Sequence, residues 1–354
     1  MSNSKDLRIS KISWPPEDLT VEILRLFMLY PHRDDQFKAM GMGPEDMAAY
    51  QFVGLSEPGG TLLAACAGRR LWGLVHVVPE LWPSAFLNRH IWTIRQLIVA
   101  EDAPRQTAEE LVRSVPAVVD EPIEFLSARV PALDRAAIRG LRGAGFRAVQ
   151  DQAVAVIECP GGGAVQMPSI RFVPMGSGHL QAVSAIAKDC WRYGHYILEP
   201  DFDPGSVGEL QNILLSEYLH EPSEGALVAE DESGEVLGFI AYSEEKGTRE
   251  FSRLRSAKLD LMGIRADMRA SKLMELLNHH ALVALKRQGI DTFTIRIAMA
   301  NRGAMNTLDV LRKTGYRIAS ADLIMHRSLI RAASEVMEPW IRGTNRLPAS
   351  RHAS

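Results

Sequence analysis

Five residues recur at identical spacing in two distant places: Leu141, Arg142, Gly145, Phe146 and Arg147, then Leu311, Arg312, Gly315, Tyr316 and Arg317. Both sets stand where an amphipathic helix ends at a glycine and an apolar strand begins, so the match points to a duplicated unit. Upstream, Leu133 and Asp134 recur as Leu308 and Asp309, with a different interval to the main match. The order of elements repeats as well. In the first copy, "TLLAACAGRRLWGLVHVV" reads as a hairpin and "IWTIRQLIV" as a third strand. "TAEELVRSVPAVV" is a helix, "IEFLSARV" a buried strand, "LDRAAIRGLRGAG" a helix closed by glycine, and "FRAVQDQAVAVIE" a last strand. The second copy runs from strand "SIRFVP" through the hairpin "GALVAEDESGEVLGFIAYS" and strand "AKLDLMGI". It continues with helix "SKLMELLNHHALVALKRQG", strand "DTFTIRIAMA", helix "NTLDVLRKT" and strand "YRIASADLIMHR".

These patterns predict an α/β chain of two tandem units. Each is a mixed, mostly antiparallel sheet flanked by helices, and the first is the shorter. A length of 354 residues suits two cores. The expected boundaries are an N-terminal extension over 1–60, a first unit over 61–159, a Gly- and Pro-rich linker over 160–168, a second unit over 169–330 and a tail over 331–354.

A formal net charge of -3 with 23% charged residues gives no electrostatic drive toward nucleic acid or an anionic membrane. A small-molecule partner is the expectation, and a homodimer stays open. Cys66, Cys159 and Cys190 are too few and too dispersed for a disulfide framework or a close-spaced zinc site, and suit a reducing cytoplasm. No apolar run approaches the ~20 residues of a membrane span. His279 and His280 are adjacent on a helix and face different sides, so no metal is expected there. Asn278 and His279 read as helix-surface groups.

The segment "IRADMRASKLMELL" joins the strand "AKLDLMGI" to a long helix. Arg265, Arg269 and Lys272 gather where the helix dipole disfavours cations by ~0.3–1 kcal/mol each unless an anion is bound. Gly263 suits a bulge that opens the sheet, and Asp260 could turn to a cleft or to solvent. "CWRYGHYILEPDFDP" either offers polar groups to a substrate, His195 among them as a base near neutrality, or is a surface loop whose aromatics pack on the sheet. Asn301 suits an N-cap.

The hairpin, the strand running into "RADMRASKLMELL", Asn301 and the helix ending in Gly315-Tyr316 resemble the GNAT N-acyltransferases. The tandem order, with "WPSAFLNRHIWTIRQLIV" and "HYILEPDFDP", more narrowly resembles the dTDP-fucosamine acetyltransferases. That resemblance implies acetyl-CoA or another acyl-CoA as co-substrate and the amine of a small polar acceptor, such as a nucleotide-linked amino sugar, as nucleophile. It implies that Leu261, Met262, Gly263 and Ile264 run beside the pantetheine arm. Arg265, Met268, Arg269, Ala270, Ser271, Lys272 and Asn301 would hold the rest of the cofactor. Arg192, Tyr193, Tyr196, Glu199 and Asp260 would meet the acceptor, with His195 and Tyr316 as candidate catalytic groups. Two features depart from the family pattern. The pyrophosphate turn has no glycine, and the tyrosine usual four residues before the Gly-aromatic pair is Leu311. The alternatives are a fold that no longer transfers acyl groups and serves for binding, or one that runs other chemistry in the same cleft. The first unit, with an acidic stretch where a phosphate turn would lie, is expected to be structural, with Phe146 in its core.

Overall fold

A computed structural model describes residues 7–16, 18–32, 35–160, 169–190, 194–218, 224–269, 271–300 and 304–330. The first half comprises β1 (Arg8–Ile12), α1 (Thr20–Leu29), α2 (Asp35–Ala39), α3 (Pro44–Gly54), β2 (Thr61–Ala67), β3 (Arg70–Pro79), α4 (Leu81–Leu87), β4 (Ile91–Val99), α5 (Thr107–Val118), β5 (Phe125–Pro131), α6 (Arg135–Gly143) and β6 (Arg147–Glu158). The second comprises β7 (Arg171–Pro174), α7 (Leu180–Cys190), α8 (Pro204–Glu217), β8 (Glu224–Glu230), β9 (Val236–Glu244), β10 (Ser256–Ile264), α9 (Leu273–Arg287), β11 (Thr292–Ala298), α10 (Ala304–Lys313) and β12 (Arg317–Ser328). Residues 8–54, set apart by the sequence reading, therefore supply a strand and three helices. Their strand "RISKI" is short and half-exposed, without the apolar run that marks the others.

All strands of the described residues join one sheet of twelve, in the order β1-β2-β3-β4-β5-β12-β6-β11-β10-β9-β8-β7. That order is symmetric about the β12–β6 pair. The last strand of each half sits in the other half's sheet: β12 pairs with β5 from Asp322↔Pro131 to Ser328↔Phe125, and β6 pairs with β11 from Thr292↔Glu158 to Ala298↔Gln152. The two exchanged strands then pair antiparallel with each other. Among the described strands only β4–β5 and β10–β11 run parallel, each joined by a crossover helix.

The repeated residues have a local reason. Gly145 and Gly315 lie at φ 90° and 101°, the left-handed region that ends a helix most cheaply at glycine. Phe146 N–H donates to Leu141 O and Gly145 N–H to Arg142 O. Tyr316 and Gly315 make the same pair of bonds to Leu311 and Arg312. This double closure satisfies orphan carbonyls, and Leu141 and Leu311 lie buried beneath Phe146 and Tyr316 in their respective cores. The upstream match is not structural. Asp134 caps α6 by accepting from Ala137 N–H, whereas Asp309 lies inside α10.

α5 and α6 cover one face of the first half, over Trp92, Ile94, Leu126 and Met325. α1 and α3 cover the other, over Leu62, Leu74 and Ile98. α9 and α7 do the same for the second half. No described helix is long and apolar enough to cross a membrane.

Candidate functional site

β10 and β11 begin side by side and then part. They pair only at Ser256↔Thr292, Ala257↔Phe293 and Lys258↔Thr294, after which β10 follows β9 alone. The kink is a bulge at Asp260, between Leu259↔Tyr242 and Leu261↔Ala241. The sequence reading put the bulge at Gly263, which instead pairs regularly with Phe239. Gly263 is required for a different reason: a Cβ there would lie 2.6 Å from Phe239 Cε1 and 3.0 Å from Ile186 Cγ2. Leu259 to Met262 are half-buried along the open edge, Met262 leaning toward the α9 core and Leu261 toward α7. Asp260 accepts from Ser243 Oγ at 2.6 Å and has Lys258 Nζ at 3.4 Å.

Ile264, buried beneath α9, ends the strand at a turn whose cations are not idle. Arg265 holds Asp267 through Nε at 2.7 Å and Nη2 at 2.9 Å, and its Nη1 reaches Glu235 at 2.7 Å. The Arg265 bonds above all hold the Asp267 carboxyl below the usual carboxylate range, while Met268 N–H donates to Arg265 O. The Arg265 guanidinium is therefore engaged by carboxylates of the chain itself. Ser271 Oγ donates to Met268 O and accepts from Leu273 N–H, opening α9, with Lys272 as the flanking residue. Arg269 is exposed, its Nη2 3.5 Å from Asp189.

Of the expected catalytic and acceptor residues that are described, Asp260 stands at that opening, and His195, Tyr196, Glu199 and Tyr316 do not. Arg192, Tyr193, Ala270 and Asn301 lie outside the described residues. Tyr316 is a core residue, its hydroxyl donating to Asn278 Oδ1 at 2.7 Å, with burial pushing the phenol far above its usual value. Asn278 is thus buried, not on the helix surface, because it answers that hydroxyl. Glu199, expected to meet substrate, is 4% exposed and paired with Arg147 of β6. Its Oε1 is 2.7 Å from His326 Nδ1 on β12, and His326 Nε2 is 3.1 Å from His195 Nδ1. Burial and the neighbouring His326 and Arg129 push the half-buried His195 imidazole down to about 3. Tyr196 packs between Phe125, Phe202 and His326. The segment from Gly194 to Asp203 leaves the second half and closes over strands β4, β5 and β12.

The first half has an opening of its own. β4 and β5 pair from Ile91↔Phe125 to Ile94↔Ala128 and then part, with a bulge at Arg95 in the register position of Asp260. Arg129 on β5 and Arg296 on β11 occupy matching positions, opposite Ile324 and Val154 of the exchanged strands. Each acts electrostatically on a tyrosine from the other half, Arg129 on Tyr196 and Arg296 on Tyr50 of α3. Tyr50 also stacks edge-on against Phe251, and Ser252 Oγ donates to Met40 O beside it. A cavity of about 780 Å³ lies at the end of β4, between Val99, Ala100, Asp102 and α1. His326, Arg129, Arg296 and Tyr50 carry no motif, and Arg147 is marked only by the repeat. Aligning "FLSARVP" on "TFTIRIA" by strand register is the one sequence signal that reaches the arginine pair.

No family model matches the chain, and no curated protein matches it in sequence. Solved structures do match. A GCN5-related N-acetyltransferase from Sphaerobacter thermophilus superposes with TM-score 0.61 at 14% identity, covering 94% of this chain and 98% of that one. A tandem GNAT protein from the clavulanic acid biosynthesis pathway, solved without AcCoA, gives 0.53 at 13% identity over 92% and 99%. A GCN5-related glucosamine N-acetyltransferase region of a fungal multi-domain GH3 beta-N-acetylglucosaminidase gives 0.56 at 13% identity, over 91% of this chain and 38% of that one. With the parted parallel strands, the bulges and the doubled element order, the chain has the tandem GNAT fold.

Proposed function

We propose that the protein is an acyl-coenzyme A dependent N-acyltransferase, with acetyl-CoA as donor and a small polar amine as acceptor, and that its co-substrate site is the opening between β10 and β11. The observation that carries this is the parting of those strands after Lys258 and Thr294, directly before the N-terminus of α9. When bound, the acyl-CoA supplies an activated acyl group as a thioester.

The residues fit an extended amide-bearing arm better than they fit its phosphates. Beyond Lys258, the β11-facing edge of β10 has no strand beside it, so its backbone can pair with an amide-bearing chain as a strand would. The α9 N-terminus adds a partial positive charge, and the exposed Arg269 adds a full one. Asp267 works against them. At the kink, the Asp260 carboxylate is placed to hold an ammonium group of the acceptor beside the open edge. The likeness of the fold to a glucosamine N-acetyltransferase region is consistent with an amino sugar as acceptor.

Isothermal titration of the purified chain with acetyl-CoA and with coenzyme A tests this reading. Micromolar affinity is expected, weakened at least about tenfold, or ~1.4 kcal/mol, by Arg269→Glu. Absence of heat at millimolar ligand sinks it.

A further inference from the structure

The bonds of the Glu199–His326–His195 chain fix where its protons lie. Arg147 holds Glu199 Oε2, and the other carboxylate oxygen accepts from His326 Nδ1. A neutral imidazole has one N–H, so His326 Nε2 carries a lone pair and the proton of the next bond belongs to His195 Nδ1. His195 Nε2 is then an unprotonated acceptor at the end of a buried relay, on a side chain that is itself only half-buried. A carboxylate two imidazoles away spreads the charge that His195 would gain with a proton.

The relay ends at the opening between β4 and β5. His326 lies opposite Ser127 and beside Phe125 on β5, and Arg129, two residues further along the same face, acts directly on His195. Arg95, at the β4 bulge, also acts electrostatically on Tyr196 and is itself bridged to Glu57 and Glu80. Burial above all, and then the Arg129 guanidinium, disfavour a proton on His195. An anion placed against Arg129 offsets that effect and makes His195 a stronger base, so binding and proton uptake assist each other.

We propose that the β4–β5 opening of the first half is a second small-molecule site, taking an anionic substrate whose carboxylate or phosphate faces Arg129 and whose ionisable N–H or O–H gives its proton to His195 Nε2. In that step the substrate's bonding pair stays on its nitrogen or oxygen, and the proton forms a new N–H bond on His195. The proposal is independent of where acyl-CoA binds, and it makes the first half a working unit where the sequence reading makes it a buttress.

Long-range 15N histidine spectra of the full chain, with inorganic phosphate and acetate as probes, test it. At neutral pH, His195 is expected to carry its proton on Nδ1, with Nε2 bare, and His326→Leu should release that preference to a mixture. Phosphate or acetate in the tens of millimolar should raise the titration midpoint of His195 by about one pH unit, and Arg129→Gln should abolish the rise while leaving the tautomer in place. A proton on Nε2 of His195, a midpoint insensitive to both anions, or an unchanged response in Arg129→Gln each overturns the site. If His326→Leu does not fold, the wild-type tautomer and the Arg129→Gln titration decide alone.

Discussion

Asp267 is the residue whose removal says most about the coenzyme A turn. Its carboxylate takes the Arg265 guanidinium that an external anion would use. Asp267→Ala is therefore expected to tighten coenzyme A binding by about three- to tenfold, since it removes a like charge and releases the guanidinium. Calorimetry on the variant reads this directly, and weaker binding would show that Asp267 orders the turn. A second residue-scale expectation concerns acid. Glu244 on β9 is held by Arg255, Nε–Oε1 3.0 Å, and by Arg249, Nη2–Oε2 2.6 Å, and the Arg255 bond, followed by Arg249, pulls its carboxyl from 4.5 to about 2. A depressed carboxyl stabilises the fold fully above 4.5 and loses that contribution as pH falls toward 2. Urea unfolding of wild type and Glu244→Gln should converge over that window, and parallel pH profiles would contradict the assignment.

Among the elements, β10 joins packing to function most tightly. Gly263→Ala would place a methyl 2.6 Å from Phe239 and 3.0 Å from Ile186, so the strand must move or the ring must turn. A cost of about 1–3 kcal/mol in chemical denaturation is expected, with weaker acetyl-CoA binding because the open edge shifts too. Full affinity with lowered stability would show that the edge does not contact the ligand. Most elements were legible beforehand. β4, α5, β5 and α6 fall where alternation, helical spacing and the closing glycine put them, because those signals are local. Gly263 misled because a glycine in a strand reads alike whether it makes a bulge or admits a neighbouring ring, and the ring comes from β9. Asn278, read as a helix-surface group, and Tyr316, a catalytic candidate, differ for the same reason. A phenol beside a helix cap and an amide on a helix reveal their pairing only once both are in the core.

For the molecule as a whole, the exchange of β6 and β12 was beyond any local signal. It pairs residues about half the chain apart, and a strand that crosses to the other half has the same apolar pattern as one that stays. The same distance hid the relay, whose Arg147, Glu199 and His326 come from a strand of the first half, a loop of the second and a strand of the second seated in the first. The exchange also predicts cooperativity. Residues 1–168 alone would leave the β5 and β6 edges open where β12 belongs, and such a fragment should be molten or aggregated, whereas co-expression with residues 169–354 should restore one soluble complex. Size-exclusion chromatography and near-UV dichroism distinguish these outcomes, and an independently folded first fragment would refute the mutual dependence. Synthesis adds a constraint of its own. A ribosome delivers β5 long before β12, so the first sheet must wait, with its centre unfilled, until residues 317–328 have emerged. The nascent chain therefore carries exposed strand edges through most of its translation, and a holding chaperone or rapid elongation over the second half should raise the yield of folded protein.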